Sequence, residues 1–283
     1  MLIRCWGARG SIPVCGEEYL KYGGDTTCIE IRSAEDDIII IDAGSGIRKL
    51  GEQLLVENRQ TLNILFTHSH LDHILGFPFF KPLYFKGKHI NVYGCSLPGN
   101  SVKEILSTAM SSPFFPVSLD DFKAEISYHG VCGDIFSIGS IEITPILLSH
   151  PNGGFGYKFV EEGQSFVFLT DNELTYKHPG GLEYRDYLSF SANAGLLIHD
   201  AEFTREEYKQ KKKWGHSVYN VALQLAFEAR VKRFGLFHHN QDRTDAALDS
   251  IVRDCRDIIG SRKSKLECFA VHQGMEIDLK PEI

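Results

Sequence analysis

The chain has 283 residues, 43% of them hydrophobic and 24% charged, which is ordinary globular composition and excludes a disordered or fibrous protein. Its net charge of −7 at pH 7 repels polyanions, so we expect no extended binding of nucleic acid, whereas a small anionic substrate is compatible with it. The sequence has neither an apolar run of the ~20 residues that cross a bilayer nor a signal-peptide pattern, which predicts a cytoplasmic protein without membrane contact.

Short runs rich in isoleucine, valine and phenylalanine predict strands, and apolar residues spaced three or four apart predict helices. The predicted strands lie at about 2–6, 28–32, 37–42, 62–66, 89–93, 141–148, 155–160, 165–170, 195–199, 233–237 and 266–271. The predicted helices lie at about 46–57, 101–110, 217–230 and 244–260. Since strands dominate both halves of the chain, we expect an α/β fold of two packed sheets covered by helices. The sequence contains no linker or low-complexity segment, so residues 1–283 are expected to form a single domain.

The seven cysteines lie at 5, 15, 28, 95, 132, 255 and 268. Their number is odd and none of them forms a CxxC pair, which argues against a disulfide framework and against a cysteine zinc cluster. We therefore expect reduced, mostly buried thiols.

The segment THSHLDH carries the clearest chemical pattern in the chain. A buried strand leads into it, and His68 and His70 are two apart on extended backbone, so their rings point the same way. Asp72 and His73 begin the next turn, which we expect to be a short helix, and can face a second position a few ångströms away. Three imidazoles at one strand end cost desolvation and mutual repulsion, and a metal ion removes both penalties. The segment therefore predicts a site for zinc, manganese or iron.

THSHLDH resembles the HxHxDH signature of the metallo-β-lactamase superfamily. The resemblance implies a four-layer αββα sandwich that holds two divalent ions, with zinc as the first expectation and manganese or iron as alternatives. It also implies further ligands at later strand ends, where His150 completes the first imidazole set and Asp171 bridges both ions. The implied metal ligands are His68, His70, Asp72, His73, His150, Asp171 and His238.

Two assignments remain open within this scheme, namely the last ligand and the role of Asp42. The run FGLFHHNQ offers both His238 and His239 as the last ligand, and we choose His238 because alternation along a strand turns its neighbour away. His239 is then expected among the residues that support the ligands. Asp42, in IIIIDAGSG, either orients a ligand histidine through its ring N–H or simply forms the turn beside two glycines.

Two later elements narrow the branch of the superfamily. HDAEFT at 199–204 and GHS at 215–217 are similar to the HEATF and HST elements of tRNase Z and related phosphodiesterases. The similarity implies that Asp200 and His216 form a pair beside the metals, in which His216 donates a proton to the leaving oxygen and Asp200 holds its tautomer. Asp72 counts among the catalytic residues as well as among the ligands. The opening segments GARGSIP and KYGGDTTCIEIR resemble the same phosphodiesterase-like group.

The reaction implied is hydrolysis of a phosphodiester by a hydroxide that bridges the two metals. The sequence lacks the Gly-rich, basic insertion with which tRNase Z clamps tRNA, and this favours a small or cyclic phosphodiester over an RNA chain. Lysines at 209 and 211–213 are typical of a solvated helix face, with an anion-binding patch as the alternative. The oligomeric state is left open, and a homodimer is compatible with the sequence.

Two other functions are compatible with the same residues. One is hydrolysis of a lactone, thioester or other ester, which needs no acid for the leaving group. The other is a metal-dependent sensor that binds a small ligand with little turnover, although such a protein would be free to lose several of the ligands.

Overall fold

Two sheets of seven strands each form the centre of the molecule in residues 1–95 and 101–279, which the computed structural model describes. The first sheet contains β1 (Leu2–Gly7), β2 (Cys28–Arg32), β3 (Ile38–Ile41), β4 (Thr61–Leu65), β5 (His89–Gly94), β6 (Glu125–Gly130) and β14 (Glu276–Asp278). The second contains β7 (Phe136–Ile138), β8 (Ile141–Leu147), β9 (Phe155–Glu161), β10 (Gln164–Leu169), β11 (Leu196–Asp200), β12 (Arg233–Phe237) and β13 (Glu267–Ala270). The strand orders are β14-β1-β2-β3-β4-β5-β6 and β13-β12-β11-β10-β9-β8-β7.

Each sheet contains a block of four parallel strands. In the first sheet these are β3 to β6, and in the second they are β10 to β13. The hairpin-linked strand β8 runs in the same direction as β10, because both pair antiparallel with β9. The carboxyl ends of parallel strands meet at one edge of a sheet, which is where open α/β sheets place their ligand sites.

Helices cover the outer face of each sheet. The α-helices are α1 (Ile47–Val56), α2 (Leu71–Ile74), α3 (Val102–Ala109), α4 (Tyr184–Phe190), α5 (Arg205–Lys211), α6 (Tyr219–Glu228) and α7 (Asp245–Ser261). Of these, α1 and α3 pack on the first sheet, and α4, α6 and α7 pack on the second. Side-chain caps begin several of them, as where Ser101 accepts from the backbone N–H of Glu104 at the start of α3. None of the helices in the described part of the chain is both long and apolar enough for a membrane span.

Three hydrophobic cores give the molecule its four layers. Alternate residues of β10 show the arrangement, since Phe166 and Phe168 pack between the two sheets whereas Val167 and Leu169 pack against the helices over the second sheet. A third core lies between the first sheet and α1 and α3. Because both faces of each sheet are covered, central strands such as β3 (IIII) are apolar throughout rather than alternating. The predicted αββα arrangement is confirmed.

Every predicted strand and helix is present, and the elements that the sequence analysis missed are short or peripheral. β7 and β14 have three residues each, and the edge strand β6 exposes most of its side chains, so their hydrophobic patterns are weak. The seven-residue helices α4 and α5 are too short to show a clear period.

The expectation that all cysteines are reduced is wrong for one pair. Cys95 and Cys132 form a disulfide across a sequence separation of 37 residues. The two cysteines follow the ends of β5 and β6, and parallel pairing of these strands brings the ends together, which their spacing in the sequence does not reveal. Of the free cysteines, Cys15 is exposed and the others are buried, as expected.

The inter-sheet core provides a direct test of this packing. Phe168 is fully buried, so Phe168→Ala should lower the free energy of unfolding by about 3–5 kcal/mol through lost burial and an unfilled cavity. Phe114 is 82% exposed, and Phe114→Ala should change it by no more than about 0.5 kcal/mol. Urea unfolding of the metal-free variants measures both values, and equal effects of the two substitutions would contradict the packing described.

Candidate metal centre

Strand ends from both sheets bring a compact group of histidines and carboxylates to one edge of the molecule. The residues come from different parts of the chain and are nearly all buried. They are Asp42 after β3, His68 after β4, His150 after β8, Asp171 after β10, Asp200 at the end of β11 and His238 after β12, together with His70, Asp72 and His73 from the start of α2.

Three of these residues have left-handed backbone conformations. Asp42, Asp171 and His238 have φ angles of 61°, 52° and 56°. This conformation costs a non-glycine residue about 1–2 kcal/mol and persists only where the surroundings hold it in place. The same sharp turn after β3, β10 and β12 aims each side chain into the cluster.

The first group of ligand atoms belongs to His68, His70 and His150, which approach one another within 4.8 Å. The Nε2 atom of His150 lies 3.0 Å from Nδ1 of His70. On the opposite side of the ring, Nδ1 of His150 donates to the carbonyl oxygen of Gly215 at 3.0 Å. Since that carbonyl can only accept, Nε2 of His150 carries a lone pair that faces the other rings.

The second group belongs to Asp72, His73 and His238, whose ligand atoms also lie within 4.8 Å of one another. The Oδ2 atom of Asp72 lies 3.4 Å from Nε2 of His73 and 3.2 Å from Nε2 of His238. The same oxygen accepts the backbone N–H of Ser11 at 2.8 Å, which ties the amino-terminal loop to the site.

Asp171 lies between the two groups. Its Oδ1 atom is 3.8 Å from Nε2 of both His68 and His150, and 3.3 Å from Nε2 of His238. Its Oδ2 atom is 3.2 Å from Nε2 of His73. A single carboxylate therefore faces both groups, the arrangement that a bridging ligand requires.

Buried carboxylates hold the outer nitrogens of the second group. Asp42 lies 2.8 Å from Nδ1 of His73, and it also accepts from the backbone N–H and the hydroxyl of Thr67. Glu202 lies 3.0 Å from Nδ1 of His238. Because each carboxylate accepts the Nδ1 proton, Nε2 of each ring is left free to bind a metal. Asp42 thus has the contact expected of a residue that orients a ligand.

The donor set fits two divalent ions. Within the described residues, Nε2 of His68 and Nε2 of His73 are buried without a hydrogen-bond partner, and an unsatisfied buried group of this kind costs about 1–3 kcal/mol. Imidazole nitrogens and carboxylate oxygens without a thiolate are ligands for zinc, manganese and iron. The first group could hold one ion and the second group the other, with Asp171 in contact with both.

Electrostatics at the site also favour cations. Burial disfavours protonation of His73 and His238, but Asp72, Asp171 and neighbouring carboxylates outweigh it and raise the pKa of both rings well above its usual range. In the first group, burial and the adjacent imidazoles lower the pKa of His150 to about 3 despite the opposing charge of Asp171. The first group therefore presents neutral rings, and the second group attracts positive charge.

Asp200 and His216 form a pair next to the two groups. The Oδ2 atom of Asp200 lies 2.6 Å from Nδ1 of His216, and its Oδ1 atom accepts the backbone N–H of Ser217 at 2.9 Å. The His216 ring stacks on His238 with centroids 4.6 Å apart. Burial lowers the pKa of His216, but Glu202 and Asp200 outweigh it and raise the pKa to about 9. The pair lies where the resemblance to HEATF and HST places it.

His239 does not support a ligand, contrary to expectation. Its Nε2 atom donates to the carbonyl of Val271 at 2.7 Å, and its ring lies against Tyr22. The left-handed turn at His238, just beyond β12, leaves the His239 side chain facing Val271 and Tyr22 rather than the ligands. Its contribution near the site is made by the backbone, where the His239 carbonyl accepts the N–H of Gly10.

Sequence reasoning missed the contacts that several residues make with the ligands, those of Glu202 and Gly10 among them. Glu202 replaces the threonine of the HEATF element, and this departure within HDAEF is the feature of the sequence that could have indicated its role. Gly10 packs so closely on His238 that a Cβ atom there would lie 2.3 Å from the ring nitrogen Nδ1. Position 10 therefore requires glycine, because the backbone there approaches a ligand too closely for a Cβ atom. The loop sequence alone cannot show this.

Comparisons with known proteins agree on the fold. Residues 38–239 match the family model for the beta-lactamase superfamily domain, a range that includes every residue of the cluster from Asp42 to His238. Ribonuclease Z of Picrophilus torridus is 22% identical, with 89% of each chain covered. The metallo-beta-lactamase fold protein YhfI of Bacillus subtilis has a TM-score of 0.70 at 17% identity, covering 98% of this chain and 99% of that chain. A diphosphatase of the PhnP family has a TM-score of 0.69 at 17% identity, covering 99% of this chain and 98% of that chain.

Metal binding should stabilise the protein measurably. At a free zinc concentration 100-fold above the dissociation constant, the free energy of unfolding should rise by about 2.7 kcal/mol, because the ion binds only the folded state. Urea unfolding with and without the ion measures the increase, with manganese and iron(II) tested in parallel. The double variant His68→Ala, His73→Ala removes one ring from each group and should lose most of it. An equal increase in that variant would contradict the assignment.

Glu202 should affect the binding of one ion more than the binding of the other. Glu202→Gln removes the charge that holds Nδ1 of His238, so we expect the ion of the second group to bind about 10–100-fold more weakly. Chelator-competition titration measures the effect. Glu206→Gln is the matched control, because its side chain is 80% exposed at the start of α5, and it should bind both ions as the parent does. Unchanged binding by Glu202→Gln would count against its role.

Proposed function

The chain belongs to the β-lactamase superfamily, in the phosphodiesterase-like branch, and we propose that it is a phosphodiesterase acting on a small or cyclic phosphodiester with two divalent ions. The superfamily supports the broader statement that it is a metal-binding hydrolase. Zinc is the proposed ion, with manganese or iron as alternatives, because imidazole and carboxylate ligands serve all three.

The observation that carries the proposal is the Asp200–His216 pair beside Asp171 and His238. An alkoxide leaving group of a phosphodiester needs a proton, and general acids supply one most effectively from a fixed position. Asp200 holds Nδ1 of His216 at 2.6 Å, and stacking on His238 fixes the plane of the ring. A thioester hydrolase has no need of this acid, because a thiolate leaves readily without a proton.

The remaining residues are proposed to have separate roles. His68, His70 and His150 would hold one ion, Asp72, His73 and His238 the other, and Asp171 would contact both. When bound, the two ions supply a water acidic enough to be ionised at neutral pH and share the negative charge that develops at the attacked phosphorus. Asp72 is kept in place by the N–H of Ser11, and its proposed role is to orient the attacking water. His216 would give its proton to the leaving oxygen.

Two properties support a small substrate over a nucleic acid chain. The net charge of −7 weakens non-specific attraction to a polyanion. The sequence also lacks a Gly-rich, basic insertion of the tRNase Z type.

The role of His216 predicts a dependence on the leaving group. With zinc or manganese bound, His216→Ala should lower kcat about 10²–10⁴-fold on cyclic nucleotides or cyclic sugar phosphates. The loss should be far smaller on bis(p-nitrophenyl) phosphate, because p-nitrophenolate leaves without a proton. Steady-state kinetics on both substrate types measures the difference, and His89→Ala, a half-exposed histidine on β5, is the matched control.

Three outcomes would overturn the proposal. Activity on lactones or thioesters with none on phosphodiesters would identify an ester hydrolase. Tight binding of a small phosphate compound in calorimetry without turnover would identify a sensor. An equal loss of kcat on both kinds of phosphodiester in His216→Ala would contradict the role of His216 as proton donor.

A further inference from the structure

Glu173 is a buried carboxylate two residues beyond Asp171 that no step of the proposed reaction uses. Its side chain has no exposed surface, yet it accepts four hydrogen bonds. The donors are Tyr208 Oη at 2.5 Å, the backbone N–H of Lys213 at 2.8 Å, the backbone N–H of Gly215 at 2.9 Å and His178 Nε2 at 2.8 Å. Two of the four donors belong to a single loop, which Glu173 therefore fixes.

That loop has a strained backbone. Lys213 and Gly215 have φ angles of 74° and 96°. Glycine adopts such angles freely, but lysine does so only when other contacts hold it there. Alternate N–H groups that point into one concavity form a binding site for an anion, and here the anion is the carboxylate of Glu173 itself.

The loop contacts the first group of ligands directly. The carbonyl of Gly215 accepts Nδ1–H of His150 at 3.0 Å, and this contact leaves the lone pair of the His150 ring on Nε2. The backbone lies so close that a Cβ atom on Gly215 would be 2.1 Å from the same nitrogen. His216 is the next residue in the chain. A shift of the loop would therefore move both a ligand's support and the proposed proton donor.

Glu173 also acts on His150 from the other side. Its backbone N–H donates to the carbonyl of Ser149 at 2.9 Å, immediately before His150 in the chain. One residue thus fixes the backbone that carries His150 and the carbonyl that His150 contacts.

We propose that Glu173 is a positioning residue for the His68, His70 and His150 group and for His216, acting through the loop 213–216. The part that concerns His216 rests on the proposed function, whereas the part that concerns His150 does not. Glu202, which holds His238, is the corresponding support on the second group. Glu173 should therefore affect the binding of one ion and Glu202 the binding of the other.

The substitution Glu173→Gln tests the inference because the amide cannot replace the carboxylate. One side-chain oxygen would become an NH₂ group facing donors, so two of the four contacts would be lost. A residue with a purely structural role would lower stability while leaving the relative affinities of the two ions unchanged. A positioning residue changes the affinity of one ion selectively.

The experiment is a titration of zinc against a chelator on the full chain, with the number of ions bound per chain as the readout. We expect Glu173→Gln to bind one ion about 10–100-fold more weakly and the other within about twofold of the parent protein. Adding Glu173→Gln to His150→Ala should cause little further loss, because the ligand that Glu173 positions is already gone, whereas adding it to His238→Ala should weaken the remaining ion about as much as in the parent protein. Equal weakening of both ions, or no weakening, would overturn the proposal.

Tyr208→Phe provides a second test if Glu173→Gln does not fold. It removes one donor to Glu173 and leaves both backbone contacts, so we expect the same ion to be weakened about fivefold, the effect of one hydrogen bond. Binding of both ions as in the parent protein would overturn the proposal here too. Because the readout is metal binding, an absence of phosphodiesterase activity would count against the proposed function only.

Discussion

Burial of many ionisable side chains in one place is the constraint on which the site depends. Each buried imidazole or carboxylate loses its hydration, and this cost is acceptable only where partners replace the lost water. In this protein the outer atoms have protein partners, such as Asp42 for His73 and Gly215 for His150. Among the inner atoms, Nε2 of His68 and Nε2 of His73 have none within the described residues. The protein therefore holds the outer nitrogens of these rings, and the inner face of the cluster is suited to cations.

The two-sheet architecture is what makes this arrangement possible. Parallel strands end at the same edge of a sheet, and packing the sheets face to face brings both edges together. β4 supplies His68 from the first sheet, while β10 and β12 supply Asp171 and His238 from the second. The phenylalanines between the sheets fix the distance that these strand ends keep. Rigid strands with sharp left-handed turns then aim the ligands more firmly than flexible loops could.

Support for the two groups of ligands is divided between different carboxylates. Asp42 and Glu202 hold rings of the second group directly, whereas Glu173 acts on the first group through backbone atoms of the 213–216 loop. Asp200 holds His216, which stacks on a ligand and so links the proposed acid to the metal positions. This division means that a single substitution can alter one position while sparing the other.

The sequence by itself determined the layered fold, the central strands and the cluster of histidines and aspartates, because these depend on local patterns and on one specific motif. Only the tertiary structure decided how residues far apart in the chain meet. It placed Glu173 and Glu202 against the site, turned His239 away, and paired Cys95 with Cys132. Such contacts depend on which strands lie side by side and on where loops return. A linear pattern of residue types carries no record of either.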